Sequence, residues 1–281
     1  MFKLGCHVSI AGKIYYSLDR AERIGCNTMQ IFARNPRQIR KIQLSDEDIS
    51  IFKEKAEKTG ISPIVVHIPY TLNLATSRER FYDISVREFI VDLIEADKLG
   101  VDYLVTHLGS YKGSTESVGL QQFSKALKMI LSETKELGVK ILLENSAGSG
   151  QWLGSKFYQL ASVINSLPDP QQVGVCLDTA HLWAAGYDIS TKEGIDQMMS
   201  EVDTGLGLKR IAVVHFNDTQ EDLGSRRDCH CDIAKGKIGV TGLSYILNHQ
   251  SLRHAAFILE TPKKSQDDDE RNLKTVKKMY T

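Results

Sequence analysis

Residues 173–188 read VGVCLDTAHLWAAGYD. The first six form a run of small and β-branched apolar residues with no apolar/polar alternation, as suits a parallel strand covered on both faces. The run ends at Asp178, and His181 follows three residues later. One helical turn over that interval puts the carboxylate and the imidazole on the same side.

Working outward, the same phrase recurs along the whole chain. Strands are expected at 3–7, 28–32, 64–67, 103–107, 140–144, 173–178, 211–217 and 256–260. Amphipathic stretches lie between them. Ser45 with Asp48 makes a capping-box pattern opening a helix through Thr59, with Gly60 placed to end it. Ser85 with Glu88 repeats the device, with Phe89, Ile90, Leu93 and Ile94 on one face and Gly100 as the stop. Leu120, Phe123, Leu127, Ile130 and Leu131 give another apolar stripe, closed by Gly138. The acidic residues 267–270 open the last helix and complement its dipole. No linker or low-complexity tract interrupts the series. The expected fold is α/β, one (β/α)8 TIM barrel spanning residues 1–281, in preference to a doubly wound open sheet. The glycine-rich segment GSGQWLG (148–154) lacks the GxGxxG spacing of a dinucleotide site and reads as an active-site loop, so no organic cofactor is expected.

Composition sets the bounds. The chain is 42% hydrophobic and 25% charged, as in an ordinary globular protein with a large core. Net charge is +0, so any nucleic-acid partner needs a locally basic surface. The five cysteines include no CxxC pair, and no apolar run approaches the ~18 residues of a membrane helix. The expectation is a cytoplasmic protein with reduced thiols and no membrane partner.

The metal-capable side chains fall where a barrel keeps its chemistry. His67, His107, Glu144, Asp178, His215 and Glu260 each close an expected strand or lie in its last residues, and such positions share one basin at the C-terminal face. His181, Asp228 and His230 stand in the loops just beyond. The spacing of two between Asp228 and His230 puts both on one face of an extended segment and turns Cys229 and Cys231 to the other. Any one of these residues has a plain structural explanation, as a hydrogen-bonded histidine or a helix-capping acid. Together the set of nine is the signal. Imidazole and carboxylate donors suit zinc, manganese or iron. At about three protein ligands per ion, nine would hold roughly three divalent cations. Four of the nine are carboxylates, which leaves roughly two positive charges with neutral imidazoles. That surplus suits an anionic phosphodiester better than a neutral sugar.

Over essentially its whole length the chain resembles the endonuclease IV family of abasic-site endonucleases. The resemblance is carried in order by GCHVSIAGK, FARNPRQ, HIPYTLNLA, THLGS, LLENSAGSG, GVCLDTAHLWAAGYD, VVHFNDT with GSRRDCH, GKIG and ILETP. It implies a trinuclear Zn2+ site. His67, His107 and Glu144 would hold the first ion. Glu144 would bridge to a second, completed by Asp178, His215 and Glu260. His181, Asp228 and His230 would hold the third. It further implies a deoxyribonuclease IV activity in DNA base excision repair. The phosphodiester 5′ to an abasic site in double-stranded DNA would be hydrolysed, leaving a 3′-hydroxyl and a 5′-deoxyribose phosphate. Glu144 is the candidate catalytic residue.

The resemblance also assigns Arg37 and Tyr70 to DNA binding, as side chains that enter a bent duplex. His7, in the GCHVS motif, is expected to orient a ligand carboxylate such as Glu260. Two positions depart from the family pattern: Thr71 where a larger aliphatic is common, and Cys229 where a basic residue is common, with Arg226 and Arg227 nearby to compensate. A monomer is expected, because DNA must reach the open face. The rival reading is a metal-dependent sugar isomerase or epimerase of the xylose-isomerase-like barrels. The donors His181, Asp228 and His230, with Arg37 and Tyr70, separate the two.

Overall fold

The computed structural model describes residues 2–32, 34–35, 44–265 and 267–281. Its strands are β1 (Lys3–Cys6), β2 (Met29–Phe32), β3 (Ile64–His67), β4 (Tyr103–His107), β5 (Lys140–Glu144), β6 (Val173–Asp178), β7 (Ile211–His215) and β8 (Ala256–Leu259). All pair in parallel, in one sheet of order β1-β8-β7-β6-β5-β4-β3-β2. The two ends of that order meet where His7 bridges Gln30 and Val8 N donates to Gln30 O at 2.8 Å. The sheet thus closes as the expected (β/α)8 barrel. Closure is tight: a Cβ on Gly5 would lie 1.8 Å from Thr28 O.

Several expected strands end early. Residues 216–217 and 260 lie beyond the ladder, where Phe216 N donates to Ile258 O and Glu260 N to the Asn217 side-chain Oδ1, each at 2.8 Å.

The interior of the barrel explains the site. Val65, Val105, Leu142, Cys176, Val213 and Ile258 form one buried cluster. Each sits two residues before His67, His107, Glu144, Asp178, His215 or Glu260. Side chains i and i+2 of a strand share a face. An apolar layer therefore forms the floor, and the polar donors stand directly above it.

Among the described residues the helices are α1 (Tyr16–Arg23), α2 (Asp46–Thr59), α3 (Glu79–Leu99), α4 (Glu116–Glu133), α5 (Phe157–Asn165), α6 (Thr179–Ala184), α7 (Lys192–Gly205), α8 (Gly239–Leu247) and α9 (Asp268–Met279). They pack on the outside over Phe52, Phe89, Phe123, Phe157 and Phe257, all buried. Ser45 caps α2 by accepting from Asp48 N at 3.1 Å, and Gly60 ends it at φ 65°. Gly100 ends α3 at φ 72°.

Two helix boundaries differ from expectation. α3 starts at Glu79, and Ser85 lies inside it: its hydroxyl donates to Phe81 O at 2.8 Å and accepts from Asn73 N at 3.1 Å. The capping-box spelling there serves a tertiary contact. α4 ends at Glu133, before Gly138, whose N–H goes to Asp97 Oδ1 at 2.7 Å. The acids opening α9 do more than face a dipole, since Asp268 accepts from the Lys264 and Ser265 backbone at 2.6 and 2.8 Å. No described helix is long and apolar enough to cross a membrane.

Candidate metal centre

Each of the nine donors read from the sequence lies at the C-terminal end of the barrel. His67, His107, Glu144, Asp178 and His215 are the last residues of β3 to β7, and Glu260 directly follows β8. Asp178 also opens α6, accepting from His181 N at 2.7 Å, so the DTAH spacing turns His181 back toward the basin. Glu144 is the hub. One of its oxygens is 3.0 Å from His67 Nε2 and 3.3 Å from His107 Nε2; the other is 2.9 Å from His215 Nδ1 and 3.5 Å from His181 Nδ1.

These atoms fall into groups able to hold cations. His67, His107 and Glu144 form one; Glu144, Asp178, His215 and Glu260 form another, each with ligand atoms within 4.8 Å of one another. A third joins Asp178, His181 and His230. Asp228 Oδ1 stands beside it, 3.2 Å from His181 Nε2 and 3.4 Å from His230 Nε2.

The donor set fits such cations physically. Four carboxylates and five imidazoles crowd one largely buried basin, where unpaired charge is costly. His107 Nδ1 and His230 Nε2 are buried and lack a hydrogen-bond partner among the described residues. Burial opposes ionisation of Glu144, but His107 and His215 outweigh it and hold the carboxyl well below its ordinary range. Burial likewise opposes Glu260, and His215 with His7 holds it well below. For His181, burial pulls down and Asp178 and Asp228 more than reverse it, to well above 6.5. His215 is raised in the same way, against its own burial, by Cys176, Glu260 and Glu144. Burial wins at His107, which is lowered. A multivalent cation would take over the charge-balancing work of these protons.

Several orienting residues were not singled out in the sequence. Gln30 Oε1 lies 2.7 Å from His215 Nε2, while its amide nitrogen donates to Glu260 Oε1 at 2.6 Å. Asn217 donates to Asp178 Oδ2 at 2.7 Å, and Asn145 Oδ1 accepts from Asp178 N at 2.7 Å. Asn145 and Asn217 follow donors within ENSAG and HFND, which was a usable signal. Gln30 had none, because it is an interior strand position far from any donor in sequence. His7 reaches Glu260 at 3.7 Å and Gln30 Nε2 at 3.0 Å. Its bond to the carboxylate therefore runs through the Gln30 amide.

Above the donors opens a cavity of about 440 Å³ lined by Phe32, Ile68, Tyr70 and Trp152 together with seven of the nine metal-capable side chains, all but the fully buried Asp178 and His215. Tyr70 is 58% exposed at its rim, and Thr71 turns its hydroxyl inward, where it is buried. Arg37 lies outside the described residues. The loop 148–154 does border the basin, through Gly148, Ser149 and Trp152. Cys229 is exposed, and Cys231 is tied by its backbone N–H to Asp218 O at 2.8 Å. Arg227 stands 3.6 Å from Glu221, and Arg226 (φ 56°) binds Ala184 O through its N–H.

Comparison with known proteins agrees with this geometry. The xylose isomerase-like TIM barrel family matches residues 18–280. A probable endonuclease 4 of Halothermothrix orenii is 40% identical over 96% of this chain and 97% of its own length. The crystal structure of endonuclease IV from Thermus thermophilus superposes with a TM-score of 0.88 at 33% identity, over 99% of this chain and 98% of that one. A D-tagatose 3-epimerase-like protein shares the fold at TM-score 0.75 and 20% identity, over 99% of this chain and 97% of its own. The chain belongs to the xylose isomerase-like TIM barrel family and, within it, to the endonuclease IV family.

Proposed function

We propose that this protein is a DNA-repair endonuclease that hydrolyses the phosphodiester 5′ to an abasic site, leaving a 3′-hydroxyl and a 5′-deoxyribose phosphate, with about three Zn2+ ions per chain. The observation that carries the reading is the convergence of nine donors in one basin, including His181, Asp228 and His230 beyond the strand ends. Bound divalent cations would supply Lewis-acid charge to the phosphodiester and lower the pKa of water.

The remaining work belongs to the chain. Glu144, within reach of four imidazoles, holds the donor groups in register and orients the attacking water. Gln30, Asn145 and Asn217 lock the donors' rotamers. Tyr70 at the rim, together with Arg37, would fill the duplex vacated by a flipped sugar. Flipping costs least where stacking and pairing are already lost. His7 acts through Gln30 on Glu260. A monomer acting in the cytoplasm on chromosomal DNA fits an opening that a duplex must reach.

The test is incubation of purified protein with a duplex carrying one abasic site, followed by mapping of the cut. A single cut on the 5′ side with an extendable 3′ end is expected, and the intact duplex stays whole. No cut, or one on the 3′ side, sinks the proposal. Metal analysis finding one ion in a folded protein would favour a sugar isomerase or epimerase.

A further inference from the structure

Trp152 is a large aromatic at the basin with no role in the reaction proposed above. It lines the same cavity as the donors, half-buried, with its ring edge-on to His107 at 5.9 Å and 87°. Its loop is built without help from the indole. Tyr111 N donates to Gln151 O at 3.1 Å, Leu153 N to Gly109 O at 2.9 Å, and Trp152 N to Ser149 O at 3.1 Å. Ser149 Oγ donates to Arg226 O at 2.5 Å, which ties the loop to the segment leading to Asp228. The adjacent Leu153, fully buried, supplies the packing.

The contrast with the chain's other tryptophan is direct. Trp183 is buried and spends its indole N–H on Glu221 O at 2.9 Å. Among the described residues the Trp152 indole N–H has no acceptor. A large ring that packs no core, held rigidly beside a candidate metal ligand with a free donor, is a ligand-facing surface.

We infer that Trp152 contacts the substrate and sets its specificity: the indole receives the base-free deoxyribose, its ring against the sugar's C–H face and its N–H toward a phosphate oxygen. This rests on the endonuclease reading and names a determinant within it. Removal of the base exposes the sugar's apolar face, and an aromatic wall recovers that surface from water. An intact nucleotide instead carries its base into the space beside the ring.

The experiment uses the zinc-loaded enzyme and a short duplex with one tetrahydrofuran abasic analogue. Trp152→Ala should raise KM by about 5- to 100-fold, leave kcat within about threefold and leave metal content unchanged. Trp152→Phe should recover most of the loss. Stopped-flow tryptophan emission should change on mixing wild type with the abasic duplex but not the intact one, and that change should vanish in Trp152→Phe. If Trp152→Ala fails to fold, the phenylalanine variant and the emission change decide. An unaltered KM, or emission indifferent to the lesion, overturns the inference. If wild type itself ignores the lesion, the endonuclease reading falls; if wild type discriminates and Trp152→Ala does so equally, only the role of the indole falls.

Discussion

His215 Nδ1 lies 2.9 Å from Glu144 Oε1, although 71 residues of chain separate them. Their strands, β7 and β5, are not neighbours; β6 stands between. Such a contact is what a closed barrel produces, because side chains from alternate strands share one layer of its interior. Glu144 meets His67 and His107 from the other side, so its carboxylate joins two donor groups that would otherwise be separate.

Glu144→Gln keeps the size of the side chain and removes its charge. It leaves His67, His107 and His215 without their anionic partner. Bound zinc should fall from about three ions per chain, and nicking of abasic duplex should drop at least about 100-fold. Metal analysis and a nicking assay on the same preparation check both. Full zinc with full activity would remove Glu144 from the centre.

What the sequence disclosed follows from physics that is local along a strand. Parallel strands covered on both faces spell themselves as apolar runs, and a donor at the end of each run is visible without any tertiary knowledge. Hence β3 to β6 and their terminal donors matched expectation. Ser85 and Gly138 misled because capping residues and tertiary hydrogen-bonding residues share one alphabet. Gln30 was illegible for a different reason. Its partners His215 and Glu260 are 185 and 230 residues away, brought to it only by the meeting of β1 and β2.

That hidden residue yields its own prediction. Gln30 is fully buried and holds His215 and Glu260 at once. Gln30→Leu, nearly isosteric, should fold yet bind zinc about 10- to 100-fold more weakly. Competition with a chromophoric chelator measures the change. Unaltered affinity would mean that packing alone orients the two donors.

Barrel closure is testable through Gly5. An alanine methyl would have to displace the Thr28 carbonyl, which lies 1.8 Å from the ideal Cβ position. The obstacle is backbone, so no rotamer change relieves it. Gly5→Ala should cost about 1–3 kcal/mol or more of stability, read as a lower urea midpoint. Because His7 and Gln30 lie on the same seam, zinc affinity should fall with it. A variant as stable as the parent would show that β1 and β2 can part without loss.

The protons on the donors predict opposite pH behaviour with and without metal. In chelated protein His181 and His215 sit well above the ordinary 6.5, while Glu144 and Glu260 sit well below the ordinary 4.5. Raised imidazoles stabilise the fold in full below 6.5, and that contribution is lost as pH rises through their raised values. Depressed carboxylates stabilise it in full above 4.5, and theirs is lost as pH falls through the depressed values. His7 and His107, lowered by burial, act in the opposite sense and trim only the acid side. The melting temperature of chelated protein should therefore peak between about pH 4.5 and 6.5. Zinc binds the deprotonated imidazoles, so loading should raise the melting temperature most at higher pH and carry the optimum above that window. Thermal melts across pH, with chelator and with zinc, measure both. A chelated optimum that coincides with the loaded one would mean these histidines carry no proton for the metal to displace.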